Sequence, residues 1–172
     1  MVGEDFVYPQ VWRSNLAFEA RLPWGIKASV EAMYTKTLNN VRYEDIGLKA
    51  NGELDHGNGV KRPVYTRPEK NKYSNLIYLS NSSKGYSYNI TGTLSKDFGF
   101  GLDASIAYTF GESKAANDGL SSQAVSNWKY NYSYDINGDE LYYSNFDMRH
   151  RIVGQLNYRV EYAKNFATTI GL

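Results

Sequence analysis

Three stretches of this chain alternate apolar and polar residues with a period of two, and that alternation limits what the chain can become. In "VWRSNLAFEARLPWGIKASVEAMYT", Trp12, Leu16, Phe18, Ala20 and Leu22 share one parity, and Arg13, Asn15, Glu19 and Arg21 the other. After "PWG" the pattern resumes, with Ile26, Ala28, Val30, Ala32 and Tyr34 against Lys27, Ser29, Glu31 and Thr35. In "GYSYNITGTLSKDFGFGLDASIAYTFG" the even positions run Tyr86, Tyr88, Ile90, Gly92, Leu94, then Leu102, Ala104, Ile106, Tyr108, Phe110. In "RHRIVGQLNYRVEY" Ile152, Leu156, Tyr158, Val160 and Tyr162 oppose Arg151, Gln155, Asn157, Arg159 and Glu161. Successive side chains on a strand point to opposite faces, so each stretch predicts strands apolar on one side and polar on the other. No stretch predicts a helix of comparable quality.

Two surroundings can cover such an apolar face: the second layer of a soluble β-sandwich, or lipid. The connections favour lipid. Within each strand pair the turn is short: "PWG", "FGFG" and "AKN". Between pairs the linkers are long, about Lys36 to Lys84 and Glu112 to Asp147, and rich in Asn, Ser, Gly, Lys and Tyr. Part of the first, "NLIYLSN" at Asn75–Asn81, reads as strand extension. Short turns alternating with long loops are the layout of outer-membrane barrels, and compact soluble domains rarely carry two such loops. The strands also exceed the usual globular length of about 5–6 residues and reach the roughly 9–11 that a tilted membrane strand needs. Trp24, Phe98, Phe100, Tyr162 and Phe166 lie at the short turns, and Tyr34, Tyr86, Tyr88, Tyr108 and Phe110 at the far strand ends. Aromatics bracketing an aliphatic middle form the girdles expected at two lipid interfaces. The expected fold is therefore all-β: an antiparallel up-and-down transmembrane β-barrel segment of about six to eight long strands, an incomplete barrel. Glu19, Glu31, Asp103, Arg149 and Arg151 would face a wet lumen, because that face is too charged for a dry core.

Composition removes several alternatives. The net charge of +1 gives no bulk attraction for nucleic acid. The absence of cysteine excludes disulfides, thiolate metal sites and cysteine nucleophiles. No run of 18 apolar residues exists to form a transmembrane helix, which leaves a β-barrel untouched. "MVGEDFVYPQ" lacks the basic-then-apolar pattern of a signal peptide, so the expectation is a protein that stays where it is made or a piece of a longer one. Catalysis is not expected: His56 sits in the glycine-rich "LDHGNG", and Ser144, Asn145 and His150 lie around a strand start without informative spacing. "DINGDE", Asp135 to Glu140, lacks the spacing of an EF-hand calcium loop and reads as a turn; no metal or other cofactor is expected. The best ligand candidates are the aromatics of "NWKYNYSYD", Trp128, Tyr130, Tyr132 and Tyr134, which could stack on sugars or peptides. The alternative is that their alternation extends a strand.

"YPQVWRSNLAFEARLPWGIKASVEAMYTK", "KGYSYNITGTLSKDFGFGLDASIAYTFGES" and, most specifically, "SNFDMRHRIVGQLNYRVEY" resemble barrel strands of TonB-dependent outer-membrane receptors, especially the Oar-like branch of Bacteroidetes-type bacteria. The resemblance spans nearly the whole chain, residues 1–172, with little in the loops. It implies part of a large plugged barrel of about 22 strands, of which this chain supplies a fragment of the carboxy-terminal half. It also implies nutrient uptake across a Gram-negative outer membrane, with lipid, a plug domain, the TonB complex and an unknown nutrient as partners. No TonB-contacting box or plug is recognisable in this stretch. The runner-up is a small complete outer-membrane β-barrel with a structural or adhesive role.

Overall fold

The computed structural model describes residues 1–69, 72–163 and 165–172, which leaves Lys164 of the expected "AKN" turn outside the described residues. The alternating stretches are strands. In chain order the elements are β1 (Gln10–Arg21), a 3-10 turn (Pro23–Gly25), β2 (Ile26–Asp45), β3 (Lys49–Asp55), β4 (Lys61–Thr66) and β5 (Ile77–Ser82). β6 (Gly85–Asp97), β7 (Leu102–Ala115), α1 (Ala124–Lys129), β8 (Tyr142–Tyr143), β9 (His150–Tyr162) and β10 (Phe166–Gly171) follow. Eight strands form one up-and-down sheet in the order β1-β2-β6-β7-β9-β10, with β5 also on β2 and β8 on β7. The sheet is not closed into a barrel: β1 and β10, at its two ends, do not pair with each other. β3 and β4 make a separate two-stranded sheet.

Internal contacts divide the chain into two units: residues 13–35, 87–112 and 147–172, and residues 1–12, 36–86 and 113–146. The first, the strand unit, contains the short turns. The register there keeps each parity together. Leu102 lies opposite Tyr158, Ala104 opposite Leu156, Ile106 opposite Gly154 and Tyr108 opposite Ile152; Asp103 faces Asn157, Ser105 Gln155 and Thr109 Arg151. β10 continues this on β9, Ile170 opposite Tyr158 and Phe166 opposite Tyr162. The polar parity is tied across strands. Arg13 Nε donates to Thr35 Oγ1 at 3.2 Å, the Thr91 and Thr109 hydroxyls meet at 2.9 Å, and Asn157 Nδ2 donates to Asp103 at 2.8 Å. Such same-face pairs are the basic stabilising unit of a sheet. The apolar parity remains uncovered: Leu16, Phe18, Val30, Ile90, Leu94, Ile106, Ile152 and Leu156 are all exposed. Among the described residues the one buried hydrophobic side chain is Trp128, which belongs to the other unit. The strand unit is therefore a single layer, unlike a sandwich half, which buries one face on a second sheet.

The turns follow from local chemistry. The Leu22 N–H donates to Ile26 O at 2.8 Å around Pro23–Gly25, with Trp24 and Gly25 at φ 62° and 72°. Between β6 and β7 the Phe98 N–H donates to Leu102 O at 2.9 Å, and the Asp97 carboxylate receives the Gly99 N–H at 2.8 Å. Gly101 closes this turn at φ 88°, and its carbonyl receives the Arg159 N–H at 2.7 Å. A Cβ at Gly101 would lie 2.1 Å from Arg159 O, so both the backbone angle and the close approach require glycine.

The second, loop-rich unit holds the long connections, and here the structure departs from expectation. β2 and β7 run further than the sequence pattern, Lys49–Thr66 forms a hairpin, and "NWK" belongs to a helix. The "NWKYNYSYD" aromatics are therefore not a strand extension. α1, with six residues, is too short to display helical periodicity.

Gly101→Ala is expected to destabilise the β6–β7 turn by about 1–3 kcal/mol. Gly92→Ala, where a Cβ meets nothing within 4 Å, serves as the control. Denaturant unfolding in micelles measures both.

Candidate ligand groove

The loop-rich unit is organised around polar groups. Asp45, at the end of β2, is fully buried. Its carboxylate receives hydrogen bonds from both terminal nitrogens of Arg67, from Asn75 Nδ2 at 2.8 Å, and from the Leu76 and Gly47 N–H groups at 3.1 and 3.0 Å. Burial alone would raise this carboxyl. The bonds from Arg67, Asn75, Leu76 and Gly47 outweigh it and hold the group at about 2 against an ordinary 3.8. The Asp45 backbone is held too: Asn137 Oδ1 accepts its N–H at 2.9 Å and Asn137 Nδ2 donates to its carbonyl at 3.1 Å. One side-chain amide thus replaces a neighbouring strand. Asn137 Oδ1 also accepts from Trp128 Nε1 at 2.9 Å. Asn127 donates to Tyr43 Oη and Ser121 O and accepts the Ser121 N–H.

This framework sets the tyrosines. "DINGDE" is a turn, with the Gly138 N–H on Asp135 O at 3.0 Å. The Asp135 carboxylate accepts from Tyr65 Oη of β4 at 2.7 Å, tying the β3–β4 hairpin beside the preceding Tyr132–Tyr134. Burial, then the Asp135 hydrogen bond and negative charge, push the Tyr65 hydroxyl up to about 12, so the donor stays protonated. Tyr142 of β8 receives the Tyr134 N–H at 2.9 Å. Between hairpin and loop lies an open groove of about 610 Å³. It is lined by His56, Gly57, Asn58, Val60, Arg62, Tyr132, Ser133, Tyr134 and Tyr142.

The expected ligand aromatics therefore separate. Tyr132 and Tyr134 line the groove, 82% and 58% exposed. Trp128 is buried at 7% exposure and serves the Asn137 network, and Tyr130 lies outside the groove under Lys129 Nζ. His56 was weighed in the sequence for catalysis and not for binding, and Arg62 and Tyr142 were not among the sequence candidates. Nothing in sequence spacing brings a residue near 60 to one near 133.

The remaining candidates fall as follows. Glu19 lines a concavity of the strand unit with Arg21, Lys27, Ser29, Thr93 and Ser95 of its own parity and with Ala20 and Ala28 of the other. Glu31 shares that parity on β2. Asp103 bonds Asn157, and Arg151 lies opposite Thr109. Arg149 forms ion pairs with Glu112 at 2.8 Å and Asp147 at 3.2 Å. Ser144 and Asn145 both donate to Asp118, whereas His150 stacks on Tyr108 and shares a 2.7 Å hydrogen bond with its hydroxyl.

No family model, curated protein or solved structure matches the chain.

Because the folded Asp45 carboxyl lies below its unfolded value, its contribution is fully present above about pH 4. It is lost as pH falls toward 2. The shift corresponds to about 2–2.5 kcal/mol. Asp45→Asn should cost the loop-rich unit about 2–4 kcal/mol by leaving Arg67 without its anion. It should also flatten the acid limb of stability, measured by hydrogen exchange of the Gly47 and Leu76 amides from pH 5 to pH 2.

Proposed function

We propose that the chain is a wall segment of an outer-membrane TonB-dependent receptor, of the kind its strand motifs resemble, acting in nutrient uptake. The observation that carries this reading is the uncovered apolar parity of the strand unit. Exposed apolar side chains recur on successive strands, from Leu16 and Phe18 to Ile152 and Leu156, with exposed Trp24, Phe100 and Phe166 toward the short turns. A contiguous apolar surface of this kind marks a contact, and aromatics at its ends suit a lipid boundary. Among the described residues no strand pairs with the outer edges of β1 and β10, which supports membership in a larger barrel, where further strands would satisfy them. In this reading the opposite parity, with Glu19, Glu31, Asp103, Arg149 and Arg151, faces a lumen and the plug. The long connections lie outside the lipid, and the role is transport rather than catalysis.

Two experiments test it. Ile106, on the apolar parity opposite Gly154, is expected to resist replacement by Arg: insertion into lipid should weaken by about 2–4 kcal/mol. Ser105→Arg, opposite Gln155 on the polar parity, should have a much smaller effect. It is a better control than Thr109→Arg, which would oppose Arg151. Equal tolerance of the two arginines in a vesicle-insertion assay would overturn the facing. An antibody against this segment should detect, in outer-membrane fractions, a heat-modifiable band far larger than 19.5 kDa. A band near 19.5 kDa in that fraction would instead support the small complete barrel, and one in the soluble fraction would remove the membrane reading.

A further inference from the structure

We infer that the tyrosine groove is a binding site for acidic oligosaccharides, with Tyr132 and Tyr134 as stacking platforms and Arg62 as the carboxylate contact. The groove lies wholly within the loop-rich unit, so the inference does not rest on the lipid assignment.

Three observations lead to this ligand class. First, the platforms are exposed and the loop that carries them is held. The Tyr134 backbone N–H is fixed on Tyr142, and the hairpin opposite is pinned by the Tyr65–Asp135 bond. A held backbone lowers the cost of presenting a ring, and the C–H faces of a pyranose suit an aromatic surface. Second, the one formal charge among the lining side chains is a cation, while the nearby Asp55 and Glu140 carboxylates are engaged by the Gly57 N–H at 2.7 Å and the Tyr142 hydroxyl at 3.4 Å. None of the lining residues is Asp or Glu, whereas Arg62 is exposed and its side chain has no partner among the described residues. Its neighbour Lys61, by contrast, is paired with Glu53 at 3.4 Å. A free guanidinium offers a planar fork that fits a carboxylate in two hydrogen bonds. Third, the rest of the lining is hydroxyl-matching chemistry: Asn58 and Ser133 donate and accept, and His56 adds a ring nitrogen. A volume of about 610 Å³ lies within the range of ordinary ligand sites and accommodates a few sugar rings. An acidic peptide would use the guanidinium but leave the paired tyrosine faces without a flat C–H partner. A neutral glycan would use the tyrosines but not Arg62.

The test uses the full chain in detergent micelles, its β-sheet content verified by circular dichroism. Hexagalacturonate, maltohexaose and hexaglutamate are titrated by calorimetry. Hexagalacturonate should bind at least about tenfold more tightly than either of the others, the scale of one charge-assisted bidentate contact. Arg62→Gln should remove that tenfold preference, and Tyr132→Ala should weaken both sugars. Both residues are exposed side chains, so neither change should disturb the fold. Tyr130→Ala, outside the groove, should change nothing. Equal binding of maltohexaose, equal binding of hexaglutamate, an unaffected Arg62→Gln, or no oligosaccharide binding at all would each overturn the assignment.

Discussion

The strand unit depends on one constraint: it is a single hydrogen-bonded layer whose apolar face no part of that unit covers. Away from its two edges its backbone groups are satisfied by neighbouring strands, and several of its polar side chains pair with one another across the register. The apolar side chains gain almost no burial, because Leu16, Phe18 and Ile152 remain at least 70% exposed. Burial of apolar surface is the dominant favourable term in folding, and without it an isolated sheet is marginal in water. The unit's stability therefore belongs to its surroundings as much as to its sequence. A medium that covers the even parity and occupies the two open edges would supply what the chain alone lacks.

The loop-rich unit meets the opposite problem in the opposite way. Among its described residues one hydrophobic side chain, Trp128, is buried, alongside several polar ones. Order comes from side chains that substitute for backbone partners: Asn137 on both backbone groups of Asp45, and the Asp45 carboxylate on the N–H groups of Gly47 and Leu76. Such networks fix geometry closely, because an unmatched buried donor or acceptor is costly. That precision is what a loop needs if it is to hold a tyrosine face still.

The strands were legible in the sequence because their signal is local. Leu102–Phe110 and Ile152–Tyr162 state their facing residue by residue, and the register then pairs apolar with apolar. The turns were legible for the same reason. The loop-rich unit was not. Trp128, Tyr130, Tyr132 and Tyr134 alternate as a strand would, but Trp128 is withdrawn into a six-residue helix by its bond to Asn137. Apart from the one to Gly47, the hydrogen bonds of Asp45 that involve a side chain reach partners 22 to 92 positions away, beyond any periodic signal. One local cue was present. Asp45, Asp55, Asp97 and Asn117 each precede a glycine by two positions, and each side chain accepts that glycine's N–H. The Asp/Asn-x-Gly pattern marks a chain reversal by a specific bond. It identifies the tight corners of the loops, although not what they bring together.

The exposed tyrosines of strand and groove answer to two chemistries, distinguished by their neighbours rather than by their exposure. Tyr158 and Tyr162 lie on the apolar parity of β9, with Leu102, Ile170 and Phe166 opposite, so a ring there extends a band of like surface. Tyr132 and Tyr134 are as exposed or more so, yet share their groove with Arg62, His56, Asn58 and Ser133. A lipid boundary asks only that a ring be amphipathic and placed at the right height, and it tolerates any lateral neighbour. A polar ligand asks for a fixed ring with donors and charge at set positions around it. The strand unit, with its regular pleat and two-residue period, can supply the first requirement indefinitely but offers no irregular enclosure. The loop-rich unit, held by long-range hydrogen bonds, can supply the second, because its irregular backbone encloses a groove that a regular pleat cannot.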